Sequence, residues 1–557
     1  MATIQNFSGL QYPNSKDPLL QQAWRNNNYQ YATSTHQIDH DMHPGLILQP
    51  KNEQDIITAV RYAEEKKLAI AIASGGHQYS GACSTSGSNI LLDLKKTFLD
   101  PKNDLRILHR EEVQQMVQRV IKDPEIQQTK NDKTFVNASV SWNLGSFNGF
   151  LKQNKLFVPH GQCTDVRVGG HAQTGGYGQL GRSFGLFGDH IWEIRLVDHN
   201  AEIKVVDKAS DPELFWAILG GSPGNFGVIT HYTIEVHRDS EYDFIGADGP
   251  RGIKAVWWYN QSTVEALLDK VAEMADTPDF PRNYDLCVSV LSSDFPLLHL
   301  VPELDGIMKR DHPDIFGYDG MPSWPPCIIL YAQWAPLAEN DRYDPKWFAD
   351  LANAGKWRLH IDEFGKDTPK RMSEMTGEWI FRDIREFDHP YEKRSYLTNS
   401  TTLGRDGWVK QVSDRIDEIL RPSFKEEFLQ CWLSCQIQCF GGEKSMFCRN
   451  ADNGTSYSWR DSTVCCVLDC FVESSYKHVA EKWQEENDRV MNGPQGCFSR
   501  QDRRVLWGSY GEFDLHKARR YYYEDDAKYE RLQKVRARAD PDGTFTANTF
   551  AVRRAGT

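Results

Sequence analysis

A cysteine and a histidine share a glycine-rich stretch in the first half of the chain. Residues 161–178 read GQCTDVRVGGHAQTGGYG, which places Cys163 eight residues before His171. A structural zinc site needs a second closely spaced ligand, such as C-x2-C, and no such ligand stands near this cysteine. The sequence therefore predicts no metal site here, and the thiol in this glycine-rich stretch needs a different explanation.

Two further loops have the same glycine-rich character. SGGHQYSG covers residues 74–81 and GGSPGNFG covers residues 220–227, and each stands next to a predicted strand. Glycine lets consecutive backbone N–H groups point in one direction, which is a geometry that holds phosphate oxygens. The first loop is not G-x-G-x-x-G, so a Rossmann site is not supported. Each loop alone is equally a tight turn, but three together indicate a long ligand such as a dinucleotide.

The elements around these loops alternate between strands and helices. Residues 45–95 predict a strand, a helix capped by Asn52, a buried strand that runs into the SGGH turn, and another strand. Residues 134–240 continue in this mixed style. From about 240 to 500, strands such as YDLCVSVL and TVCCVLDCFVE alternate with helices, which predicts an antiparallel sheet with helices on one face.

Composition and charge exclude several classes of protein. The chain has 557 residues, 40% of them hydrophobic, which predicts a well-cored globular protein of two domains. A net charge of −13 argues against a nucleic-acid or anionic-membrane partner. There is no apolar run of about 18 residues and no secretory signal, so we expect an intracellular protein without a membrane anchor. The twelve cysteines are interpreted as free thiols.

The glycine loops resemble those of one flavoprotein family. HPGLILQPKNEQDIITAVRYAEEKKLAIAIASGGHQYSG is similar to the flavin-binding half of the vanillyl-alcohol oxidase and p-cresol methylhydroxylase superfamily. CTDVRVGGHAQTGGYG and GGSPGNFGVIT resemble its berberine bridge enzyme branch, whose patterns are C-x-x-V-x-V-G-G-H-x-x-G-G-G-Y-G and G-G-x-G-G-N-F-G-I-V-T. The resemblance is strong over residues 45–240, moderate over the last 60 residues and thin between them. Thr174 replaces a glycine of the branch pattern, and Arg167 is a second departure, which either brings a long cation close to the flavin or points to solvent.

The resemblance implies two covalent bonds to one FAD. In this branch the histidine of the S-G-G-H turn bonds to the flavin 8α-methyl carbon, and the cysteine bonds to carbon 6, so His77 and Cys163 take these roles by resemblance. Both carbons belong to the electrophilic dimethylbenzene end of the ring, where an imidazole and a thiolate are suitable nucleophiles. The plainer alternative is a turn histidine and a buried structural cysteine.

The resemblance also assigns other residues around the flavin. It places His171 near the N1–C2=O edge, where a donor or a cation would stabilise the reduced flavin, and Val166 beside the oxygen path. A core histidine and an ordinary packing valine are the alternatives. The implied cofactor-binding residues are Ser74, Gly75, Gly76, His77, Gln78, Gly81, Cys163, Val168, Gly169, Gly170, His171, Gly175, Gly176, Tyr177, Gly178, Gly227, Val228 and Asn548.

The segment LQCWLSCQIQCFGG predicts a strand with two different faces. Cys431, Leu433, Cys435, Ile437 and Cys439 form one face, which is a core stripe and not a metal site. The other face carries amides and aromatic rings, which suit a sugar or polyol pocket, although a solvent-facing sheet would show the same pattern. The branch directs the residue at Gln438 toward the substrate. The predicted substrate residues are Trp432, Gln436, Gln438 and, on a neighbouring strand, Gln333.

A second catalytic candidate comes from VLWGSYGEFDLH, which resembles the branch segment Y-x-N-Y-R-D-x-D. Tyr510 aligns with the tyrosine that serves as catalytic base in the carbohydrate-oxidising members, whereas Trp507 and Ser509 replace the first tyrosine and the asparagine. An ordinary phenol is a poor base at neutral pH, because its pKa is about 10, so the role needs neighbouring groups that favour phenolate. Tyr510 and Gln438 are therefore the predicted catalytic residues, and a packed tyrosine is the alternative.

Together these features predict an α+β protein with two domains. A two-subdomain FAD module covers residues 1–240 and receives residues 506–557, and a substrate domain with a large antiparallel sheet covers residues 241–505. The predicted activity is an FAD-dependent oxidase that converts the anomeric carbon of a mono- or oligosaccharide to a lactone and reduces O2 to H2O2. The alternatives are an oxidase of alkaloids, polyketides or aromatic alcohols, and a non-enzymatic binding protein that keeps the nucleotide loops.

Overall fold

The structure is a computed structural model that describes residues 3–30, 42–243, 248–292, 301, 304–311, 313, 325–380, 389–398, 403–421, 426–507 and 513–556. The strands of the described part are β1 Leu10–Pro13, β2 Leu46–Gln49, β3 Ile70–Ala73, β4 Ile90–Asp93, β5 Leu105–Ile107, β6 Thr134–Ser139, β7 Leu156–Phe157, β8 Ile191–Val197, β9 Ile203–Val206, β10 Val228–Arg238, β11 Arg251–Trp258, β12 Tyr284–Leu291, β13 Cys327–Trp334, β14 Arg358–Phe364, β15 Tyr391–Leu397, β16 Cys431–Cys439 and β17 Val464–Val472.

The helices lie between these strands and after them. They are α1 Pro18–Asn27, α2 Glu53–Lys66, α3 Arg110–Val120, α4 Pro124–Asn131, α5 Leu144–Gln153, α6 Val168–Gln173, α7 Gly181–Phe184, α8 Pro212–Ile218, α9 Gln261–Asp276, α10 Leu304–Asp311, α11 Pro345–Ala352, α12 Met372–Glu378, α13 Trp408–Leu420, α14 Met446–Arg449, α15 Lys477–Met491, α16 Leu515–Tyr522 and α17 Asp526–Ala539. Short 3-10 turns cover Phe187–His190, Asp239–Glu241, Glu426–Gln430 and Ser474–Tyr476.

The first sheet carries the first glycine loop. Its order is β1-β2-β4-β3, with β2, β4 and β3 parallel and β1 antiparallel at the edge. Helix α2 makes the crossover, and it begins as the sequence predicts, because the Asn52 side chain accepts a hydrogen bond from the Asp55 N–H at 3.1 Å. The buried faces of Ile56, Val60 and Ala63 pack into the core beneath this sheet. The SGGH turn then follows β3 directly.

The second sheet is antiparallel and positions the other two glycine loops. Its order is β5-β6-β10-β8-β9, with β7 paired to β10. The second glycine stretch lies between β7 and α8 and contains α6, and the third loop leads into β10. The tail returns to this half of the molecule, since the Ile70 N–H donates to the Thr544 carbonyl and the Asn548 amide donates to the carbonyls of Ala82 and Ser84.

The third sheet is the largest. Its seven strands are all antiparallel, in the order β14-β11-β13-β12-β16-β17-β15. Helices α9, α13 and α15 cover one face, and their apolar side chains form one core with the inward residues of the strands. The other face of β16, β17 and β15 turns toward the glycine loops. The predicted α+β class, with a FAD-type module and a large antiparallel sheet covered by helices, is confirmed.

Three whole-chain expectations can be set beside the structure. All twelve cysteines lie in the described part, and all are free thiols, nine of them buried. No described helix combines the length and the apolar character needed to cross a bilayer. The domain boundary predicted near residue 240 falls in the connection between β10 and β11, after which the chain enters the third sheet.

Candidate functional site

One cavity of about 320 Å³ lies where the glycine loops meet the third sheet. All three loops line it, although they are far apart in sequence. The lining residues from the loops include Ser74, Gly75, Gly76, His77, Gln78, Cys163, Gly169, Gly170, His171, Gly176, Tyr177, Gly178, Pro223, Gly224 and Gly227. This convergence is the arrangement that the three loops predicted for one extended ligand.

Two glycines show that the loops leave room for a ligand. A Cβ added at Gly170 would meet no atom nearer than the Ser74 Oγ at 4.0 Å, and one added at Gly224 would meet only the Ile72 Cβ at 3.8 Å. Both glycines line the cavity, so a side chain at either position would take up space inside it. Gly224 also has φ +77°, a left-handed conformation that other residues rarely adopt. The backbone here forms a cradle that side chains would fill.

His77 and Cys163 line the same cavity from different loops. His77 follows β3 in the first sheet, whereas Cys163 lies between β7 and α6. They are 86 positions apart in the chain, and only the packing of the first sheet on the second brings both to one cavity. The geometry therefore allows one ligand to contact an imidazole and a thiol at the same time.

His171 is neutral in this environment. Burial, with a smaller contribution from the neighbouring His160, lowers the pKa of its imidazole to about 3. The Gly161 N–H donates to His171 Nε2 at 3.0 Å, so the ring proton belongs on Nδ1. The sequence allowed either a hydrogen-bond donor or a cation at this position. In the structure the imidazole is neutral, so it can act as a donor but not as a cation.

The two departures from the family pattern both lie at the cavity wall. Arg167 lies across the first loop, because a Cβ on Gly75 would come within 2.5 Å of its Cγ, and its guanidinium donates to the Ser141 carbonyl. It therefore takes the first of the two predicted orientations, near the ligand, and does not point away to solvent. Thr174 donates from its hydroxyl to the Gly170 carbonyl at 3.0 Å. This bond ends α6 without requiring a glycine.

The third sheet supplies the opposite wall. Along β16 the predicted alternation holds, since Cys431, Leu433, Cys435, Ile437 and Cys439 pack in the helix-covered core, while Ser434, Gln436, Gln438 and Phe440 line the cavity. Gln436 donates to the Gln162 side chain at 2.8 Å, and Gln438 donates to the Gly178 carbonyl. Each amide nitrogen thus ties the sheet to the FAD-type module, which leaves the amide oxygens to meet a ligand.

A buried ion pair in this wall was missed by the sequence analysis. Lys393 on β15 pairs with Asp469 on β17, and both line the cavity, with 2% and 10% of their side chains exposed. The strand register places Ser434, Asp469 and Lys393 side by side across three adjacent strands. The aspartate within VCCVLDCFV is a single charge in an otherwise apolar strand, and that pattern was the available signal, whereas Lys393 stands between two other charged residues in YEKRSYL.

The electrostatics of this pair follow from its burial. Burial lowers the pKa of Lys393 and raises the pKa of Asp469, while the opposite charge of each partner acts against its shift. The Lys393 ammonium lies 4.1 Å from the centre of the Tyr79 ring and 4.9 Å from that of Trp507. Asp469 Oδ1 has no hydrogen-bond partner among the described residues.

Several predicted residues do not line the cavity. Gln333 is fully buried in the core, where its amide oxygen accepts from the Trp379 indole, and Trp432 stacks near His389 at 4.7 Å. Neither side chain lines the cavity, because Gln333 on β13 packs against α12 and Trp432 lies at the start of β16. The lining also lacks Gly81, Val168, Gly175, Val228 and Asn548, of which Asn548 donates to the carbonyls of Ala82 and Ser84 beside the first loop. Tyr510 lies outside the described residues.

The residues present fit a flavin dinucleotide. The cavity offers a glycine cradle for the backbone-bound part, aromatic walls for a flat ring, and an imidazole and a thiol on adjacent loops. Arg167 and Lys393 supply positive charge at its surface. Among the described residues no group of three or more metal-ligating side chains is present.

Two kinds of comparison, one with family models and one with curated proteins, both find FAD-linked proteins. The family described as FAD binding domain matches residues 44–106, which hold α2, β3 and the SGGH turn. An uncharacterised FAD-linked oxidoreductase of Bacillus subtilis (strain 168) is 28% identical over 201 residues, which is 36% of this chain and 38% of that protein. Berberine bridge enzyme-like 12 of Arabidopsis thaliana is 31% identical over 193 residues, which is 35% of this chain and 32% of that protein. The chain therefore shares an FAD binding domain with FAD-linked oxidoreductases and is similar, over about a third of its length, to berberine bridge enzyme-like proteins.

The matched FAD binding domain indicates that the cofactor is FAD. The matched segments span less than half of these curated relatives, so the likeness in sequence is confined to part of each protein. Solved structures match over nearly the whole chain. The glucooligosaccharide oxidase of Acremonium strictum has a TM-score of 0.66 at 15% identity and covers 99% of this chain and 97% of that one. The 6-hydroxy-D-nicotine oxidase of Arthrobacter nicotinovorans has a TM-score of 0.65 at 17% identity, with 99% of each chain covered. At these identities the likeness shows the fold alone.

Proposed function

We propose that this protein is an oxidase that holds its FAD by two covalent bonds, from His77 to the 8α carbon and from Cys163 to carbon 6. The observation that carries the proposal is that both side chains line one cavity from separate loops. A 6-S-cysteinyl, 8α-N1-histidyl FAD is present in the Acremonium strictum glucooligosaccharide oxidase, which shares the fold. A doubly tethered cofactor suits an open site, because the ring cannot dissociate when a large substrate enters or leaves.

Different residues of the cavity then have different roles in the reaction. FAD, when bound, supplies the acceptor for a hydride and passes two electrons to dioxygen, which yields H2O2. The glycine cradle holds the dinucleotide, and the Gln436 and Gln438 amide oxygens orient the substrate hydroxyls. The resemblance makes Tyr510 one candidate to accept the proton of the hydroxyl on the carbon that loses the hydride. We propose a mono- or oligosaccharide as the substrate, oxidised at the anomeric carbon to a lactone.

A second substrate class has support from the cavity wall. Tyr79, Phe471 and Trp507 give it an aromatic side, while Trp432, expected to stack on a sugar, lies elsewhere. The amide nitrogens of Gln436 and Gln438 are already used. These features suit an aromatic alcohol or another secondary metabolite. Peroxide production measured across a panel of sugars and aromatic alcohols separates the two classes.

Acid precipitation tests the two bonds. The wild-type protein should give a yellow pellet, and peptide mass spectrometry should find flavin on the peptides that contain His77 and Cys163. Cys163→Ala and His77→Ala should each retain one bond, and the double variant should release FAD into the supernatant. Cys83→Ala is the matched control, because Cys83 is another free thiol in the lining and should have no effect. A colourless wild-type pellet with free flavin in solution would refute the bicovalent proposal.

A further inference from the structure

The buried ion pair of Lys393 and Asp469 occupies a position that the proposed reaction has not used. Both side chains project from the cavity face of the third sheet, and β-strand register holds them next to each other. Lys393 covers the ring of Tyr79, two residues after His77, and it is electrostatically coupled to Cys163. The pair therefore lies at the end of the cavity where the two tethers are proposed.

We propose that Asp469 accepts the proton of the substrate hydroxyl and that Lys393 balances the negative charge that moves onto the flavin in the same step. This inference rests on the proposed oxidase function and names a proton acceptor other than Tyr510. One oxygen of Asp469 is held by Lys393, and Oδ1 has no hydrogen-bond partner among the described residues. A substrate hydroxyl would satisfy this buried acceptor, which is otherwise costly to leave unpaired.

The balance of atoms and charge supports this assignment. The hydroxyl-bearing carbon loses a hydride to flavin N5, the O–H bond breaks, a C=O bond forms, and the proton goes to the Asp469 carboxylate. Before the step the pair carries −1 and +1 beside a neutral flavin, and after it a neutral carboxylic acid and Lys393 lie beside an anionic reduced flavin. The net charge of the buried site does not change, so no uncompensated charge has to be created in a low-dielectric region. Dioxygen then takes two electrons and a proton from the reduced flavin, the proton coming from N5, and a second proton from Asp469, to give H2O2.

The other groups that face the pair do not offer a second base. Lys393 is influenced by Asp469, Cys465 and Cys163, and its ammonium lies over two aromatic rings. Burial raises the pKa of Cys465 far above its ordinary value, so this thiol stays protonated. Cys163 is used as a flavin tether in the proposed function. Among these described neighbours, Asp469 is the group able to take a proton and return it.

Sulfite gives a test that needs no substrate. Sulfite adds to flavin N5 and leaves a negative charge on the ring, so its affinity reports the charges around the ring. Lys393→Met should weaken sulfite binding at least about tenfold, equivalent to about 1.4 kcal/mol, and Asp469→Asn should strengthen it by a similar factor. Lys393→Arg keeps the charge and should stay within a few-fold of the wild type. Arg394→Met is the matched control, because Arg394 is the next residue on β15 but pairs with Asp488 on the helix side, at 3.1 Å.

Anaerobic reduction by an active substrate tests the proton transfer itself. Asp469→Asn should make the flavin easier to reduce and yet slow its reduction by substrate at least about 100-fold, since general base catalysis typically contributes that much. A purely electrostatic role would speed reduction instead. Unchanged or faster flavin reduction in Asp469→Asn would overturn the proposed role of the pair. The same conclusion would follow if Lys393→Met and Asp469→Asn both bound sulfite with the affinity of Arg394→Met. Wild-type protein that holds FAD but oxidises no sugar or alcohol would instead refute the proposed function.

Discussion

The buried pair of Arg460 and Asp189 should contribute more to stability than any exposed ion pair of the protein. Arg460 lies in the connection between β16 and β17, and Asp189 lies in the 3-10 turn Phe187–His190 that precedes β8. Their side chains are 5% and 2% exposed. The contact is bidentate, with Nη1 3.2 Å from Oδ2 and Nη2 bonded to Oδ1. The pair thus joins the substrate-facing sheet to the FAD module.

The cost of breaking the pair follows from what remains. In Arg460→Met, Asp189 keeps hydrogen bonds from the Leu186 N–H and from the Asn450 and Asn453 amides, at 2.8 to 3.0 Å, but loses its cation. A buried charge left without its partner typically costs about 3–5 kcal/mol. Methionine retains the apolar contact with Phe447 and Tyr457, whose rings lie 5.1 and 5.4 Å from the guanidinium carbon. Most of the loss is therefore electrostatic.

A double-mutant cycle separates the charge from the packing. Arg460→Met, Asp189→Asn and the double variant are compared by thermal unfolding at one pH and one FAD content. The double variant should be more stable than Arg460→Met alone, because the amide removes the unpaired charge and its oxygen still accepts from the neutral donors on one side. Arg531→Met serves as the control, since its pair with Glu213 is about half exposed and should be worth less than about 1 kcal/mol. If Arg460→Met costs no more than Arg531→Met, or the two single losses simply add, the reasoning is wrong.

Two smaller predictions follow from single side chains. Gly178→Ala should reduce FAD incorporation strongly, because the new Cβ would lie 1.8 Å from the backbone oxygen of His160 and distort the loop, and the flavin-to-protein absorbance ratio of the purified variant measures the loss. The pKa of Glu112 is lowered from 4.5 to about 2, chiefly by its hydrogen bond to Arg106, so the carboxylate stabilises the fold above pH 4.5 and the gain disappears as the pH falls through about 2. Since Glu112 is more than a third exposed, Glu112→Gln should lower stability at pH 7 by less than about 1 kcal/mol and leave it unchanged at pH 2, which unfolding midpoints at both pH values would show.

The sequence predicted the elements that local pattern controls. Asn52 caps α2, the strand before the SGGH turn is buried, and alternate residues of β16 divide between a core and a cavity face, each as its period required. Motif spacing also identified the glycine loops, because a backbone that closely approaches a ligand requires glycine, which is visible in the sequence. These features are local, so they can be read without knowing the tertiary structure.

The features that sequence could not predict depend on contacts between distant segments. Gln333 has the residue type of a polyol contact, but its burial depends on where α12 packs, and Trp432 misses the cavity because of its place along β16. The neutral state of His171 depends on the Gly161 N–H and on its enclosure by other elements. The pairing of Lys393 with Asp469 required the order β16-β17-β15, since β15 and β17 are adjacent in space but separated in the chain by β16.

The pairing of Lys393 with Asp469 is also the feature of the site for which the stability of the fold gives the weakest explanation. Replacing a buried ion pair by apolar residues of similar volume is often neutral or stabilising by about 1–4 kcal/mol, so folding alone gives no reason to place Lys393 and Asp469 on an inward face. Their neighbours on the same face of β17, Cys465, Val467 and Phe471, show that apolar side chains are accepted there. The Arg460 and Asp189 pair joins two parts of the fold, whereas Lys393 and Asp469 belong to adjacent strands of one sheet that backbone hydrogen bonds already hold together. A charge pair that adds no connection between parts of the fold, yet opens onto the cavity that carries His77 and Cys163, is better explained by the chemistry of that cavity than by the stability of the sheet.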